Sequence, residues 1–254
     1  GDRADLPAKP RRSGFSSRPR LDSPGGGVVA VAKLGRTLAP YQWGGQGAIS
    51  KFFGWGDSDE PEAEWWLGVH PLRPSTIAAD GKPLAGWLQR HGGGGELPYL
   101  LKVLAPSMPL SLQVHPSTAQ ATEGFDREVR GRMDLDDPLR LYKDPSAKPE
   151  LVVALEGGFS ALAGVRPVDD VLETLRELDS DDTGPLADFS QRMARDGVQA
   201  TVHWLLSGGP GVRELVLALQ ERAERNDTLR RLTEYFPGDP GVAVGLLLHR
   251  VDLK

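Results

Sequence analysis

The hydrophobic pattern of this chain changes its period twice, and this change constrains the fold more than any other feature. Residues 28–165 carry short apolar runs separated by turn-forming segments such as "RHGGGGE", a pattern typical of strands. Residues 166–236 instead repeat apolar side chains at helical spacing, as in "PVDDVLETLREL". Residues 237–254 return to strand character. The sequence therefore predicts a mainly β fold with an inserted α-helical domain.

Both ends of the chain differ from this ordered middle. Residues 1–27 hold six basic and three acidic residues among Pro, Gly and Ser, with little apolar content, which predicts a disordered N-terminal arm. The β segment at 237–254 stops before a β domain would be complete. Because such a break leaves open strand edges and apolar surface, we expect the biological protein to be longer.

Composition excludes several classes of protein. The net charge of −5 disfavours a nucleic-acid partner, since nucleic-acid-binding domains usually carry a basic excess. The chain has no cysteine, which excludes disulfides and thiolate chemistry and fits a cytoplasmic location. No apolar run approaches the length of about 18 residues needed to cross a bilayer, so no membrane contact is expected.

The stretch "LSLQVHP" alternates apolar and polar side chains. In a strand, successive side chains point to opposite faces, so Ser111, Gln113 and His115 would share one face. The apolar face would pack against the β core and consists of Leu110, Leu112 and Val114. We therefore expect a strand that presents polar groups on one side only.

A second apolar run, "ELVVALEG", begins with a carboxylate at Glu150, two residues after Lys148. Together with Gln113 and His115 this segment offers an imidazole, a carboxylate and an amide oxygen, which suit a borderline divalent metal such as zinc. Three protein donors with open positions are typical of a catalytic site. On spacing alone, however, a His two residues from a Gln is more often packed or hydrogen-bonded than a ligand.

Four motifs in order make the chain resemble a known family, the type I mannose-6-phosphate isomerases (phosphomannose isomerases). The motifs are "YQWGG", "EAEWWLGVHPLRPS", "LPYLLKVLAPSMPLSLQVHP" and "YKDPSAKPELVVAL". The stretch "EYFPGDPGVAVGLLLHRVDLK" also resembles the block that follows the family's helical insert. The resemblance implies a cupin-like jelly roll, incomplete at the C-terminus, plus the helical domain.

The resemblance also implies the metal and its ligands. Gln113 and His115 match the family's paired strand ligands, Glu150 matches its carboxylate ligand, and the implied cofactor is Zn²⁺. The family's fourth ligand is a histidine beyond the end of this chain, as are a substrate arginine and the second cupin domain. His249 precedes that place in a different motif and is not assigned as a ligand. The family's usual histidine before "KPE" is Ala147 here.

The implied reaction interconverts mannose 6-phosphate and fructose 6-phosphate. A proton moves between carbon 1 and carbon 2 through an enediol, and a divalent cation stabilises the charge that develops on the sugar oxygens. Lys148 is our candidate catalytic residue, because a nearby cation favours its neutral form. It would serve either as acid and base or as an orienting donor. The resemblance places the protein in carbohydrate metabolism, as a monomer in GDP-mannose biosynthesis.

Four further residues are predicted to bind the substrate. Ser111 shares the polar face and can donate a hydrogen bond to phosphate. Lys102 is a charged residue inside the apolar run "LLKVL" and needs a partner or solvent. Trp43 of "YQWGG" would line the pocket, and Glu64 of "EAEWWLG" would be a pocket carboxylate.

Two other functions remain open at this point. The chain could be a truncated, non-catalytic cupin that binds only metal or sugar phosphate, because the fourth ligand and the second domain are absent from it. It could also be another metal-dependent cupin enzyme, such as an oxygenase. Such sites usually use more histidines than the one found here, which disfavours the oxygenase.

Overall fold

The structure is a computed structural model that describes residues 30–155, 158–181 and 183–253. The predicted arm at residues 1–27 lies outside the described residues. The chain divides into two compact units. One unit combines the chain up to Ala39 with Trp65–Val103, and the other combines Pro40–Glu64 with Leu104–Lys254.

The strands of the described residues are short, and they are β1 (Leu38–Ala39), β2 (Gly45–Gln46), β3 (Pro61–Glu62), β4 (Glu64–Leu67), β5 (Leu101–Leu104), β6 (Phe159–Val165) and β7 (Leu248–Leu253). The helices are α1 (Ala48–Phe53), α2 (Leu84–Arg90), α3 (Thr118–Arg130), α4 (Val168–Leu178), α5 (Pro185–Leu206), α6 (Val212–Glu221), α7 (Asp227–Tyr235) and α8 (Gly241–Gly245). A 3-10 turn covers Ala223–Arg225.

The first unit is built on a three-stranded sheet in the order β1, β4, β5. Ser75 is fully buried there and joins two parts of the unit, because its hydroxyl donates to the carbonyl of Trp66 and accepts from the amide of Gly68. Lys102 lies on β5, and its Nζ sits 4.2 Å from the centre of the Trp66 ring. A cation over an aromatic face is a favourable position for a lysine in an apolar strand.

The second unit contains two antiparallel strand pairs and the helical block. β2 pairs with β3, with Gly45 opposite Glu62. β6 pairs with β7 from Phe159 opposite Leu253 to Val165 opposite Leu248, with an irregular register near the last pair. Along the chain, helices α4 to α8 lie between β6 and β7, which pair with each other.

The helical block forms the main apolar core of the second unit. The stripe predicted on "PVDDVLETLREL" is confirmed, since Val171, Leu175 and Leu178 are each 1% exposed on α4. The core draws side chains from α4 to α8 and from the residues just before β7; its fully buried members include Phe189, Met193, Leu205, Leu215, Leu219, Leu229, Val242 and Leu247. Burial of apolar surface stabilises the folded state by roughly 25 cal/mol per Å², so this cluster is a main source of stability for the unit.

Helix ends in this block follow local sequence signals. Asn226 caps α7 by accepting a hydrogen bond of 3.0 Å from the amide of Leu229. Gly197 takes φ 75° inside α5 and breaks the helix there into two parts. Asp227, at the start of α7, bonds to Arg250 of β7 and to Arg230, and these guanidinium groups hold the pKa of Asp227 below its usual value.

The prediction of a mainly β fold is too rich in strands. The apolar run after Glu150 and the stretch Leu110–Pro116 are not strands in the structure. Leu110, Leu112 and Val114 are 41%, 46% and 93% exposed, so the predicted packed face is not packed. A strand requires a neighbouring backbone to complete its hydrogen bonds, and none of the described residues pairs with these two segments.

The return to strand character after Phe236 begins later than predicted. The stretch "GVAVG" forms the short helix α8, and only Leu248–Leu253 form a strand. Val242, Ala243 and Val244 are all buried, and a short apolar run that is buried on every side has no period with which to distinguish helix from strand. Among the described residues, no helix has both the length and the apolar character needed to cross a membrane.

Candidate metal centre

A cavity of about 290 Å³ lies in the second unit. Its polar lining consists of Glu64, Ser111 and Gln113. The remaining lining residues are apolar or aromatic: Trp43, Met108, Pro109, Leu110 and Phe236. A few polar groups converging in a largely apolar hollow are typical of small-molecule sites.

Backbone hydrogen bonds hold the walls of this cavity together. The carbonyl of Trp43 accepts from both the amide and the hydroxyl of Ser107, at 2.9 and 3.0 Å. The amide of Ala105 donates to the carbonyl of Ala63, next to Glu64, at 3.0 Å. The segment that leads into Met108 is therefore fixed against the segments that carry Trp43 and Glu64.

Beyond Gln113, the imidazole of His115 meets the carboxylate of Glu150. His115 Nε2 lies 3.1 Å from Glu150 Oε2, and Lys148 Nζ lies 3.4 Å from Glu150 Oε1. The three side chains are 38–50% exposed, so solvent and small ions can reach them. The carboxylate of Glu150 thus contacts the imidazole of His115 through one oxygen and the amine of Lys148 through the other. A cation could bind between this carboxylate and the imidazole.

The donors present fit a divalent metal of the zinc type. Two ligands about 2.0–2.1 Å from a tetrahedral zinc lie about 3.3 Å apart, close to the 3.1 Å between His115 Nε2 and Glu150 Oε2. In the described parts of the chain, no group of three His, Cys, Asp or Glu side chains could hold a metal. Among the described residues, a third donor would be of another kind, such as the amide oxygen of Gln113.

The predicted site residues fall into three groups in the structure. Trp43, Glu64, Ser111 and Gln113 line one cavity. His115, Lys148 and Glu150 contact one another. Lys102 belongs to the other compact unit, where it stacks on an indole ring, and its contact with substrate stays a prediction.

Sequence reasoning missed four residues of the cavity: Met108, Pro109, Leu110 and Phe236. Leu110 was expected in the packed core because alternation placed it opposite the polar face. Phe236 follows α7 and comes from the helical block, far along the chain from Gln113. The only available signal for it was its position in "EYFPGDP", one of the stretches that carry the resemblance.

Comparisons with known proteins agree on one family. Residues 31–168 match the family model of the type I phosphomannose isomerase catalytic domain. Mannose-6-phosphate isomerase of Salmonella typhimurium is 31% identical over 244 residues, covering 88% of this chain, and that of Escherichia coli is 30% identical over the same length. The human enzyme is 29% identical over 170 residues and covers 58% of this chain.

Solved structures give the same result for the fold. Mannose 6-phosphate isomerase from Salmonella typhimurium, bound to its substrate fructose 6-phosphate and to zinc, superposes with a TM-score of 0.76 at 30% identity. Another structure of the enzyme, bound with zinc and yttrium, gives the same score. In both cases the match covers 88% of this chain and 61% of the solved chain.

The chain spans 62% of the length of the two bacterial relatives and 38% of the human enzyme. The family model alone covers more than half of the present chain, and it includes His115, Lys148 and Glu150. The motifs, the fold and the model all point to the same assignment. The chain belongs to the type I phosphomannose isomerase family.

Proposed function

We propose that this chain carries the zinc-dependent active site of a mannose-6-phosphate isomerase, which interconverts mannose 6-phosphate and fructose 6-phosphate. The observation that carries the proposal is the contact of His115 with Glu150 and of Glu150 with Lys148, within the region that matches the catalytic domain. A solved relative is bound to both fructose 6-phosphate and zinc. The cavity of about 290 Å³, which Gln113, Ser111 and Glu64 line, supports a small-molecule substrate.

The zinc ligands of this proposal are Gln113, His115 and Glu150. When bound, the metal would stabilise the negative charge that develops on the sugar oxygens during proton transfer. An imidazole nitrogen and two oxygen donors leave room for substrate oxygens or water, which is the arrangement of catalytic zinc sites.

Lys148 is proposed to move the proton. In the forward direction the C2–H bond of the aldose breaks, the Lys148 amine takes that proton, and the proton is returned to C1 of the enediol. A second proton moves from O2 to O1, so no atom is gained or lost and the product is an isomer of the substrate. Lys148 Nζ is the amine in contact with the carboxylate of Glu150, which orients it.

The substrate residues of the proposal are those that line the cavity. Ser111 supplies a hydroxyl that can donate to the phosphate, Glu64 supplies a carboxylate that can accept from the sugar hydroxyls, and Trp43 supplies an apolar wall. Lys102 is proposed as a cationic contact for the phosphate. No nucleic acid or membrane partner is proposed.

The finer features of the fold are also proposals. We propose a cupin-like jelly roll with domain limits at 28–165, 166–236 and 237–254. The match to solved relatives over 88% of the chain supports it. A monomer in the cytoplasm, active in GDP-mannose biosynthesis, is proposed with it, and the absence of cysteine supports that location.

The proposed function is tested by a coupled assay on mannose 6-phosphate with the 254-residue chain. We expect activity to disappear after treatment with a chelator and to return when Zn²⁺ is added. Mg²⁺ at the same concentration is the control and is expected to restore little, since it prefers all-oxygen sites. A folded, zinc-loaded sample without turnover would contradict the proposal.

A binding-only chain is the second candidate. Two observations on the segment that carries Gln113 and His115 favour it. Leu110, Leu112 and Val114 are exposed there, and the segment has no strand pairing among the described residues. Calorimetry with fructose 6-phosphate separates the two functions. Binding without turnover supports the second candidate, and turnover excludes it.

Replacing Lys148 tests the proton-transfer role. We expect Lys148→Met to lower kcat by about 10²–10⁴-fold, the usual contribution of a general acid or base, and to leave zinc affinity nearly unchanged. Lys51→Met, at an exposed position on α1, is the matched control. Steady-state kinetics and zinc titration check both variants. If Lys148→Met retains kcat within about threefold, the lysine is not the group that moves the proton.

A further inference from the structure

Helix α3 contacts both segments that carry the proposed zinc ligands. We propose that α3 is a positioning helix, which sets the distance between His115 and Glu150, and that Glu128 is its principal positioning residue. The inference rests on the proposed function for its link to zinc. Among the described residues no strand pairs with the segment Leu110–Pro116 or with the segment around Glu150, whereas α3 contacts the chain next to each of them.

The first attachment is at the start of α3. Ser117 follows His115 by two residues and caps the helix. Its amide donates to Gln120 Oε1 at 3.0 Å, and the amide of Gln120 donates to Ser117 Oγ at 3.4 Å. This reciprocal pair is a capping box, which fixes the direction in which the chain enters a helix. The backbone after His115 is therefore tied to the first turn of α3.

The second attachment is made by Glu128, near the other end of the helix. Its side chain is 9% exposed, and its two oxygens accept hydrogen bonds from consecutive amides: Oε1 from Leu141 at 3.1 Å and Oε2 from Tyr142 at 2.9 Å. A buried carboxylate needs such partners, because it would otherwise lose its hydration without compensation. The stretch that leads to Lys148 and Glu150 is thus held on α3.

Arg140 completes this attachment. Its Nε lies 3.7 Å from Glu128 Oε2 and donates to the carbonyl of Tyr142 at 2.8 Å, and its Nη1 donates to the carbonyl of Met133. The guanidinium is also placed over the ring of Phe125, on α3. Both side chains of the Glu128–Arg140 pair are more than nine-tenths buried, and both bond to backbone groups. These bonds restrict the segment around Tyr142 to one position on α3.

Two contacts extend the attachment along the helix. The ring of Tyr142 packs directly on Gly124, where a Cβ atom would overlap it. Two residues earlier, the hydroxyl of Thr122 donates to the carbonyl of Pro145 at 3.2 Å. Pro145 precedes Lys148 by three residues. The contact surface therefore runs from Leu141 to the edge of the proposed site.

A matched pair of glycine substitutions tests the inference. Gly124→Ala places a methyl group against the Tyr142 ring, whereas Gly86→Ala, also inside a helix, meets only the tip of Arg90 at 3.5 Å. We expect Gly124→Ala to weaken zinc binding by about 10–100-fold in competition with a chromophoric chelator, as is usual when a group that orients a metal ligand is lost. Gly86→Ala is expected to bind zinc like the wild type.

A second readout needs no metal. Because the chain has no cysteine, spin labels can be attached only at introduced thiols. Val114→Cys and Leu151→Cys flank His115 and Glu150 at positions that are 93% and 90% exposed. We expect the distance distribution between the labels to shift or broaden in the Gly124→Ala background and to stay unchanged with Gly86→Ala.

Glu128→Gln provides an independent variant should Gly124→Ala fail to fold. It keeps the size of the side chain but offers only one acceptor to the amides of Leu141 and Tyr142. Unchanged zinc affinity together with unchanged label distances in the folded variants would overturn the inference. A wild-type chain that binds no zinc through His115 and Glu150 would overturn the proposed function instead, and the label distances would still decide the role of α3.

Discussion

Glu150→Gln is expected to weaken zinc binding by about 100-fold or more and to reduce isomerase activity at least as strongly. The amide has nearly the shape of the carboxylate but lacks its negative charge, and a neutral oxygen is a poorer donor to a divalent cation. The same change removes the partner of Lys148, whose Nζ lies 3.4 Å from Glu150 Oε1. The variant should therefore lose both the metal and the orientation of the proposed proton-transfer group.

Zinc titration against a chelator, followed by the coupled assay at saturating Zn²⁺, separates these two losses. Excess zinc should restore metal occupancy without restoring full kcat, because Lys148 remains without its partner. Glu123→Gln makes the same chemical change at an exposed position of α3 and should leave both quantities unaltered. Wild-type zinc affinity in Glu150→Gln would exclude this carboxylate as a ligand.

The helical block was the part of the fold that the sequence predicted best. The stripe of Val171, Leu175 and Leu178 and the cap at Asn226 depend on neighbours within one or two turns, and such local patterns are visible in a single sequence. The strand predictions were weaker because a strand depends on a distant partner. Alternation in Leu110–Pro116 predicts a polar and an apolar face, but it cannot supply the neighbouring backbone, and Leu110 lines the same cavity as Ser111 and Gln113.

The site shows the same division between local and distant information. Spacing placed Gln113 and His115 on one face, yet nothing in the spacing placed Glu150 beside them. The resemblance to the isomerase family made that link, and the structure brings His115 and Glu150 to 3.1 Å. Phe236 lines the cavity from the end of α7, and no local sequence pattern distinguishes such a residue from an ordinary helix end.

The helical core should be the most sensitive part of the chain to loss of side-chain volume. Leu215→Ala is expected to lower the free energy of unfolding by about 2–5 kcal/mol, because Leu215 is 0% exposed and its truncation leaves a cavity in the packed cluster. Two residues further along α6, Leu217 is 50% exposed. Leu217→Ala deletes the same atoms from the same helix and should cost no more than about 1 kcal/mol.

Urea unfolding followed by far-UV circular dichroism measures both values, since α4 to α8 contribute much of the helical signal. The midpoint should fall clearly for Leu215→Ala and barely for Leu217→Ala, with similar slopes if the unit unfolds cooperatively. Equal midpoints would mean that α6 presents a different face to the core.

Because Val242 and Leu247, which precede β7, belong to the same cluster, a loosened core should also weaken the pairing of β7 with β6. Hydrogen exchange of the backbone amides tests that coupling. In the wild type, the amides of β6 should exchange more slowly than those of α2. This protection should be lost in Leu215→Ala and kept in Leu217→Ala.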